Sequence, residues 1–272
     1  DWGNSWLSLS HVETNNNGRT LPFSVEERKH LLAIIDPATG TYTGLDGTVY
    51  NYTGMSEADR KAAAEALFMP RPDRKMQSSQ FVLDAKVDIP YELAGDHVAV
   101  LGSQVIRGEL EDSVFGLESG KPNQVQEHNM WSVFAEDTWY IVEPFALTVG
   151  LRYDDHEVFG DHLSPRVYGV YTINPEWTLK GGVATGFKTP KTTDLYDGVK
   201  GFGGQGTSPQ FGNPDLKPET STSTELAIYW QHPRGHNFNA TVFHNQFDDK
   251  ISSQDCGSGT SLTCSSSGDY AD

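Results

Sequence analysis

The sequence lacks any apolar segment long enough to cross a membrane as a helix, because no run of about 18 apolar residues occurs in it. It is also poor in basic residues, with 20 Lys and Arg against 37 Asp and Glu and a formal net charge of −17. Phosphate binding needs a basic face, so this balance argues against a nucleic-acid partner. A transmembrane β-barrel stays open, since its strands alternate lipid-facing and lumen-facing residues and keep the mean hydropathy low.

Cysteine is scarce as well, with Cys256 and Cys264 as the two in the chain. Both lie in a stretch rich in Ser and Gly, where a short-range disulfide would indicate an oxidising compartment or the cell exterior. Two free thiols are the alternative. No other Cys or His lies close to them in sequence, so they do not form a zinc pattern.

Catalytic motifs are weak throughout. Residues 201–206 match a dinucleotide-binding fingerprint by letters but lack the strand and helix that give its glycines their meaning. His156 and Glu157 begin a zinc-protease motif, but Gly occupies the position of its second His. His232 and His236 flank a turn and are a weak candidate for a metal site. No nucleophile elbow surrounds a serine, so we predict neither a catalytic site nor a metal site.

What the sequence has in abundance is alternation of apolar and polar residues, which is typical of half-exposed β-strands. In 80–89, for example, Phe81 and Leu83 fall on one side, whereas Asp84 and Lys86 fall on the other. The pattern predicts strands at 4–12, 80–89, 97–110, 129–141, 145–153, 166–173, 177–187, 223–230 and 238–249. We therefore predict an all-β, antiparallel fold of about nine strands.

The predicted connections alternate between short turns and long loops. Long polar segments cover 13–75, 111–127 and 188–220, and a connection of medium length covers 154–163. The first of these loops contains one predicted helix, which Ser56 caps and Pro70 ends. Aromatic residues gather beside the short turns: Tyr91, Trp139, Tyr140, Phe145, Trp177 and Trp230.

Short turns at one end, long loops at the other and an aromatic girdle are typical of an outer-membrane β-barrel. Charged residues on the alternate side of the strands would then face a polar lumen. These residues are Asp84, Lys86, Asp88, Glu136 and Lys180. A soluble β-sandwich with one wet face is the alternative interpretation.

Binding is the function class that the long loops favour, because recognition residues concentrate in loops on a rigid scaffold. Cations beside aromatic rings suit an anionic, aromatic ligand such as a ferric catecholate. The candidate ligand-binding residues are Arg71, Arg74, Lys75, Lys188, Lys191, Tyr196, Phe202 and Phe211. Ordinary solvation of loops by Lys and Arg is the simpler explanation of the same residues.

Part of the chain resembles TonB-dependent outer-membrane receptors, in particular the catecholate siderophore receptors to which the colicin I receptor belongs. The resemblance covers about residues 131–250. It depends on three segments, SVFAEDTWYIVEPFALTVGLRYDDHEVFGDHLSPRVYGVY, WTLKGGVATGFKTP and GQGTSPQFGNPDLKPETS. The family motif residues in them are Phe187, Pro190, Asn213, Pro214, Asp215, Leu216, Pro218 and Glu219.

The resemblance implies a barrel of about 22 strands with a plugged lumen. The chain, residues 1–272, is then expected to be an incomplete barrel domain without the plug domain and the closing strand. The implied function is uptake of a ferric siderophore across the Gram-negative outer membrane, driven by the TonB complex through the plug. No covalently bound cofactor is implied. Outer-membrane lipid and colicin-like bacteriocins are the other partners that the resemblance suggests.

The resemblance also bears on the cargo. Haem receptors of the superfamily carry a haem-ligating His between a Phe-Arg-Ala-Pro box and an Asn-Pro-Asp-Leu box. This chain has Lys188 and Thr189 inside the first box, and no His lies between Phe187 and Asn213. Haem is therefore disfavoured, but a haem or hydroxamate receptor of the same superfamily stays open. A passive porin or an adhesin barrel is the alternative outside it, and an outer-membrane hydrolase is a third.

Overall fold

The main element of the structure is one antiparallel sheet in which each strand pairs with its neighbours in the chain. The computed structural model describes residues 3–36, 38–203 and 208–253. Nine strands form this sheet, and four short strands of the long loops lie outside it. The bounds of the nine strands, in sheet order, are β1 Asn4–Thr20, β4 Asp73–Glu92, β5 Asp96–Asp112, β6 Gln124–Val142, β7 Phe145–His156, β8 Gly160–Asn174, β9 Trp177–Lys188, β12 Glu219–Gln231 and β13 Asn237–Asp248. The predicted all-β, antiparallel fold class and its strand count are confirmed.

Several strands are longer than predicted, and the loops are correspondingly shorter. Pairing between β5 and β6 continues as far as Asp112 and Gln124, so the predicted loop at 111–127 shrinks to 113–123. The predicted connection of medium length at 154–163 is wrong. Residues 157–159 alone join β7 to β8, because pairing continues up to His156 and Gly160. Gly160 has a φ of +68°, which a residue without a side chain adopts at no steric cost.

The sheet has one polar and one apolar face. Partners directly opposite each other in an antiparallel pair share a face, so register identifies each face across the whole sheet. One row runs Asp84, Gln104, Ser132, Asp154 and His162 across β4 to β8. The alternate row carries Leu83, Val105 and Trp131. The five charged residues predicted for a lumen all lie on the polar face, which we call the inner face.

Aromatic residues mark the short-turn end of the sheet, as predicted. His97 is sandwiched there between Tyr91 and Trp139, with ring centroids 4.6 and 5.4 Å away. Further along the same rim, Trp177 and Trp230 lie opposite each other at 6.0 Å. Amphipathic rings at a single level of a sheet fit the boundary between hydrocarbon and water.

The first long connection, residues 21–72, folds into a unit of its own (the first-loop unit). It contains α1 Val25–Ile35, a hairpin of β2 Thr41–Thr43 and β3 Val49–Asn51, and α2 Glu57–Phe68. The predicted helix is α2, and Ser56 caps it by accepting the Asp59 N–H at 3.2 Å. Ala33, Ile34 and Tyr52 form the buried core of the unit. The helix packs on its own loop, and the bulk of this loop therefore has a fixed conformation.

Helix α1 was not predicted. Its start carries a complete capping box, in which the Ser24 hydroxyl accepts the Glu27 N–H and the Glu27 carboxylate accepts the Ser24 N–H. This Ser-x-x-Glu spacing was visible in the sequence. The helix is weakly amphipathic, however, because Leu32 and Ile35 are exposed while Ala33 and Ile34 are buried. Periodicity alone therefore gave no signal for it.

Three loops pack together above the sheet. They are the first-loop unit, the second loop (113–123) and the third loop (189–218), and each contributes one residue to a buried cluster of Leu21, Val114 and Val199. The third loop contains a short 3-10 helix, Thr192–Leu195, and the hairpin strands β10 Val199–Gly203 and β11 Ser208–Phe211. Glu118 of the second loop also accepts the Val25 N–H at the start of α1, at 3.0 and 3.1 Å. We call this assembly the loop core.

Arg71 fastens the end of the first-loop unit to its beginning. Its guanidinium donates to the carbonyl oxygens of Leu21 and Pro22 at 3.2 and 2.7 Å, and to the Glu27 carboxylate at 2.9 and 3.1 Å. Burial by itself would raise the pKa of Glu27, but Arg71 and the Ser24 cap outweigh it and hold that pKa below its ordinary 4.5.

A substitution at Gly182 tests how closely the inner face is packed. A Cβ at this position would clash with the Val167 carbonyl oxygen and the Tyr168 ring. We expect Gly182→Ala to lower the free energy of unfolding by about 1–3 kcal/mol, the usual cost of overpacking. Chemical unfolding of the protein in detergent measures this. Gly186→Ala, whose Cβ would meet only the Ser221 hydroxyl at 3.4 Å, is the matched control. Equal losses in the two variants would contradict the explanation.

Arg71 tests the fastening of the first-loop unit. Arg71→Gln leaves Glu27 without its cation and two carbonyl oxygens without their donor, so we expect local opening to become easier by about 2–3 kcal/mol. Amide hydrogen exchange of residues 24–36 measures the effect. Lys188→Gln removes an ion pair whose lysine side chain is 72 % exposed, and it should leave this segment unchanged. Slow exchange retained in Arg71→Gln would argue against the fastening role.

Acid should loosen the same unit. Because the folded-state pKa of Glu27 is lowered, its stabilising contribution is complete above about pH 4.5 and is lost as the pH falls through the lowered value. Burial raises the pKa of Glu118, so protonation of Glu118 stabilises the unit as the pH falls. A comparison of the wild type with Arg71→Gln separates the two carboxylates. Exchange of residues 24–36, corrected for intrinsic rates, should depend on pH less in Arg71→Gln than in the wild type. Identical pH profiles would assign the acid response to another group.

Candidate ligand-binding surface

A hydrogen-bonded network covers the inner face from β4 to β7. Arg152 is its centre and donates to Asp154 at 2.9 Å, to Ser132 at 2.8 Å and to Gln104 at 3.1 Å. Gln104 in turn donates to Asp84 at 2.6 Å. Ser132 and Asp154 are almost fully buried. One polar network thus connects four strands. Most of its residues occupy alternate positions of the predicted strands, and this pattern was the available signal. The network was missed from the sequence because ligand-binding residues were sought in the loops.

A second contact bridges the inner face by passing over an intervening strand. Arg166 on β8 donates to Glu136 on β6 at 3.1 Å. Between them β7 places Gly150, whose missing side chain leaves room for the Glu136 chain. The Arg166 guanidinium also lies 5.5 Å from the centroid of the Tyr168 ring. Its side chain is 49 % exposed, so it can reach a solute on this face.

Two histidines meet at the long-loop end of the inner face. His156 Nδ1 accepts the Val158 N–H at 3.1 Å, so the proton of this neutral ring lies on Nε2. Nε2 then donates to His128 Nδ1 at 3.0 Å, which leaves the His128 Nε2–H free to donate elsewhere. His156, the first residue of the zinc-protease-like pair, therefore stabilises the β7–β8 turn. His232 and His236 lie at the other end of the sheet with ring centroids 6.2 Å apart.

The three predicted cations at the end of the first loop are all paired. Arg71 makes the contacts described above and also lies over the Phe23 ring at 4.3 Å. Arg74 forms a bidentate pair with Asp112, whose side chain is almost fully buried. Lys75 pairs with Glu111 at 3.0 Å and keeps about half of its side chain exposed. Of the three, Lys75 is the most accessible, and a ligand role for each of them stays a prediction.

The cations at the end of β9 and in the third loop differ in their availability to a ligand. Lys188 pairs with Glu219 at 2.7 Å but remains largely exposed. Lys191 is exposed and makes no ion pair within the described part of the chain. Lys200 pairs with Asp194 at 2.6 Å and is mostly covered. Lys188 and Lys191 are therefore two accessible positive charges beside the top of β9.

The predicted aromatic residues of the third loop belong to the loop core. Tyr196 is buried, stacks on Phe115 at 4.6 Å and donates to Gln124 at 3.2 Å. Burial raises the pKa of Tyr196. Phe202 and Phe211 pack against the buried cluster of the loop core. These rings hold the loops together, and direct contact with a ligand stays a prediction for each of them.

The family motif residues shape the two ends of the third loop. Phe187 stacks on His162 with ring centroids 4.5 Å apart, and Pro190 is buried. At the other end, Asn213 Oδ1 accepts the Asp215 N–H at 2.9 Å, which makes a side-chain-closed turn. Leu216 is buried beyond that turn. Pro214 is exposed, whereas Pro218 is half-buried and leads directly into β12, where Glu219 meets Lys188.

Some predicted positions lie outside the described residues. Cys256 and Cys264 belong to them, so the disulfide stays a prediction. The dinucleotide-like stretch is described only for 201–203, which belong to β10. Within the described part of the chain, no three His, Cys, Asp or Glu side chains come together as a metal site. None of the described helices is long and apolar enough to cross a membrane.

The first-loop unit carries a further aromatic cluster that sequence reasoning missed. His30 of α1 lies among Tyr42, Tyr50 and Tyr52 of the hairpin. Burial and a hydrogen bond to Glu26 raise the pKa of Tyr42 to about 12. Burial also lowers the pKa of His30, so this ring is neutral at pH 7. The spacing of three tyrosines within eleven residues was the available signal.

Comparison with known proteins agrees with this geometry. The chain is 39% identical over 162 residues to the iron-regulated outer membrane virulence protein of Vibrio cholerae, covering 60% of the chain and 24% of that protein. It is 32% identical over 187 residues to the ferric enterobactin receptor of Pseudomonas aeruginosa, covering 62% of the chain and 25% of the receptor. The chain therefore spans about a quarter of the length of these relatives.

Solved structures show the same fold. A mutant of the ferric enterobactin receptor from Pseudomonas aeruginosa superposes with a TM-score of 0.64 at 23% identity, covering 92% of this chain and 33% of that one. The siderophore receptor PirA from Acinetobacter baumannii gives 0.61 at 23% identity with the same coverages of 92% and 33%. The sequence model of the family described as "TonB dependent receptor-like, beta-barrel" matches residues 3–269. The chain belongs to the TonB-dependent receptor β-barrel family.

Proposed function

We propose that this chain is part of the barrel wall of an outer-membrane receptor that takes up ferric siderophores of the catecholate type. The observation that carries the proposal is the sheet with a charged, hydrogen-bonded inner face and an apolar outer face. A wall of this kind suits a polar lumen inside a bilayer. The names of the relatives, an iron-regulated outer membrane protein and a ferric enterobactin receptor, support the cargo.

The proposed role is binding and passage without chemistry on the ligand. Ferric catecholates are anionic and aromatic, and Lys188 and Lys191 are accessible cations at the long-loop rim of the sheet. They follow Phe187 in the chain, and the ring of Phe187 stacks on His162. An ammonium has three donors, so Lys188 can keep Glu219 and still bind an anion. Energy from the TonB complex, delivered through a plug domain, would drive passage. Contact with outer-membrane lipid and use by colicin-like bacteriocins belong to the same proposal.

The first test is ligand choice. We expect saturable quenching of tryptophan fluorescence when the intact receptor in detergent is titrated with a ferric catecholate, and none with a ferric hydroxamate or haem. Saturation by haem or by the hydroxamate alone would change the cargo. If no chelate binds, a passive porin or an adhesin becomes the better assignment. Uptake that survives collapse of the proton gradient would also favour the porin.

The second test concerns the rim lysines. We expect the double variant Lys188→Gln/Lys191→Gln to weaken ferric catecholate binding by about tenfold, because each lost charge-assisted hydrogen bond is worth about 1.5–3 kcal/mol before solvent screening. Titration at low and at physiological salt measures it. Arg234→Gln changes a cation in a turn at the opposite end of the sheet and is the control. Unchanged affinity in the double variant would remove these lysines from the site.

A further inference from the structure

The first-loop unit brings several oxygen and nitrogen donors together around His30. The ring of Tyr42 stacks on the imidazole at 4.3 Å with an interplanar angle of 14°. The rings of Tyr50 and Tyr52 lie at 4.5 and 5.7 Å from it. Register explains the convergence, because Tyr42 and Tyr50 are directly opposite each other in the β2–β3 hairpin and so share a face. Glu26 lies one helical turn before His30 on the same face of α1.

Two hydrogen-bonded pairs connect these donors. His30 Nε2 is 2.6 Å from the Tyr52 hydroxyl oxygen, and the Tyr42 hydroxyl donates to Glu26 Oε2 at 3.0 Å. Lys29 occupies the other carboxylate oxygen, Oε1, at 2.7 Å. The hydroxyl of Tyr50 makes no hydrogen bond within the described part of the chain. One phenol, Tyr52, is buried, whereas Tyr50 is 36% exposed and opens the cluster to solvent.

We propose that Glu26, His30, Tyr42 and Tyr52 form a binding site for ferric iron on the first-loop unit. Two ligands in neighbouring positions of an octahedral metal with bonds of about 2.1 Å lie about 3 Å apart. The two hydrogen-bonded pairs, at 2.6 and 3.0 Å, are close to this spacing. Tyr50 can supply a further oxygen from the open side.

The donor set selects the metal. When iron binds, the phenol protons of Tyr42 and Tyr52 would pass to solvent. The two phenolates and Glu26 would then supply three negative charges beside a neutral His30, which matches a trivalent cation. Phenolate is an established iron ligand in proteins, and imidazole and carboxylate also suit iron. Structural zinc sites use Cys and His in a closed tetrahedron, and calcium sites use many carboxylate and carbonyl oxygens. Here only Glu26 and His30 belong to those sets, so zinc and calcium lack the ligands they prefer.

This site is separate from the proposed siderophore-binding surface. It is built within the first-loop unit, whereas the rim lysines and the inner-face networks belong to the sheet and the top of β9. Iron bound here would be iron held directly by protein side chains, outside any chelate. The inference therefore goes beyond the proposed function, and the two can fail independently.

The experiment titrates the intact receptor in detergent with ferric nitrilotriacetate. We expect a visible charge-transfer absorption band of ferric phenolate that saturates at one iron per protein. Tyr52→Phe and Tyr42→Phe keep the rings and remove one donor oxygen each, so each should weaken iron binding by at least about tenfold and reduce the band. Excess zinc or calcium should not displace the iron.

Tyr140→Phe, at the short-turn end of the sheet, is the matched control and should leave the band unchanged. Amide exchange of residues 24–36 shows whether each variant keeps the unit folded. No band in the wild type, or an equal band in all three variants, overturns the proposal. Siderophore titration of the same preparations separates the two ideas, because a receptor that binds the catecholate but shows no iron band refutes the site alone.

Discussion

The ladder of backbone hydrogen bonds from β1 to β13 is the constraint on which the rest of the structure depends. Hydrocarbon offers no partner for a peptide N–H or C=O, so a membrane-spanning chain has to satisfy these groups within itself. Nine antiparallel strands do so pair by pair from β1 to β13, and each of these two edge strands has a single partner in the described sheet. Once the ladder is formed, the pleat assigns every alternate residue to one face. The Arg152 network and the exposed apolar side are two consequences of that single assignment.

Close packing of long polar side chains on the inner face depends on glycine at selected crossings. Gly150 leaves room for Glu136 to reach Arg166 two strands away, and Gly102 lies beneath the Phe134 ring. A side chain at either position would displace the residue above it. On the inner face, a large side chain on one strand is therefore matched by a glycine at the neighbouring position of the next strand. This explains how a charged surface can be both well packed and extensively hydrogen-bonded.

The long loops obey a different rule, because water surrounds them and they have to form small cores of their own. The loop core uses Leu21, Val114 and Val199 from three separate loops, and the first-loop unit uses Ala33, Ile34 and Tyr52. Several cations and aromatic rings whose chemistry suits a ligand are instead buried or paired within these small cores. Arg71 and Tyr196 are buried in it, whereas Lys188 remains accessible. The proposed receptor therefore offers fewer loop side chains to a ligand than the composition of its loops suggests.

The sequence by itself determined the nine strands of the large sheet, their antiparallel order and the polar or apolar face of each, because the period of two is a local property. Ser56 likewise determined the start of α2 through its own cap. The tertiary structure alone decided how far pairing continued, as between β7 and β8, because a register is a property of two strands. It also decided which loop cations are covered. Whether Arg71 meets Glu27 or solvent depends on residues 44 positions apart, and no local pattern contains that information.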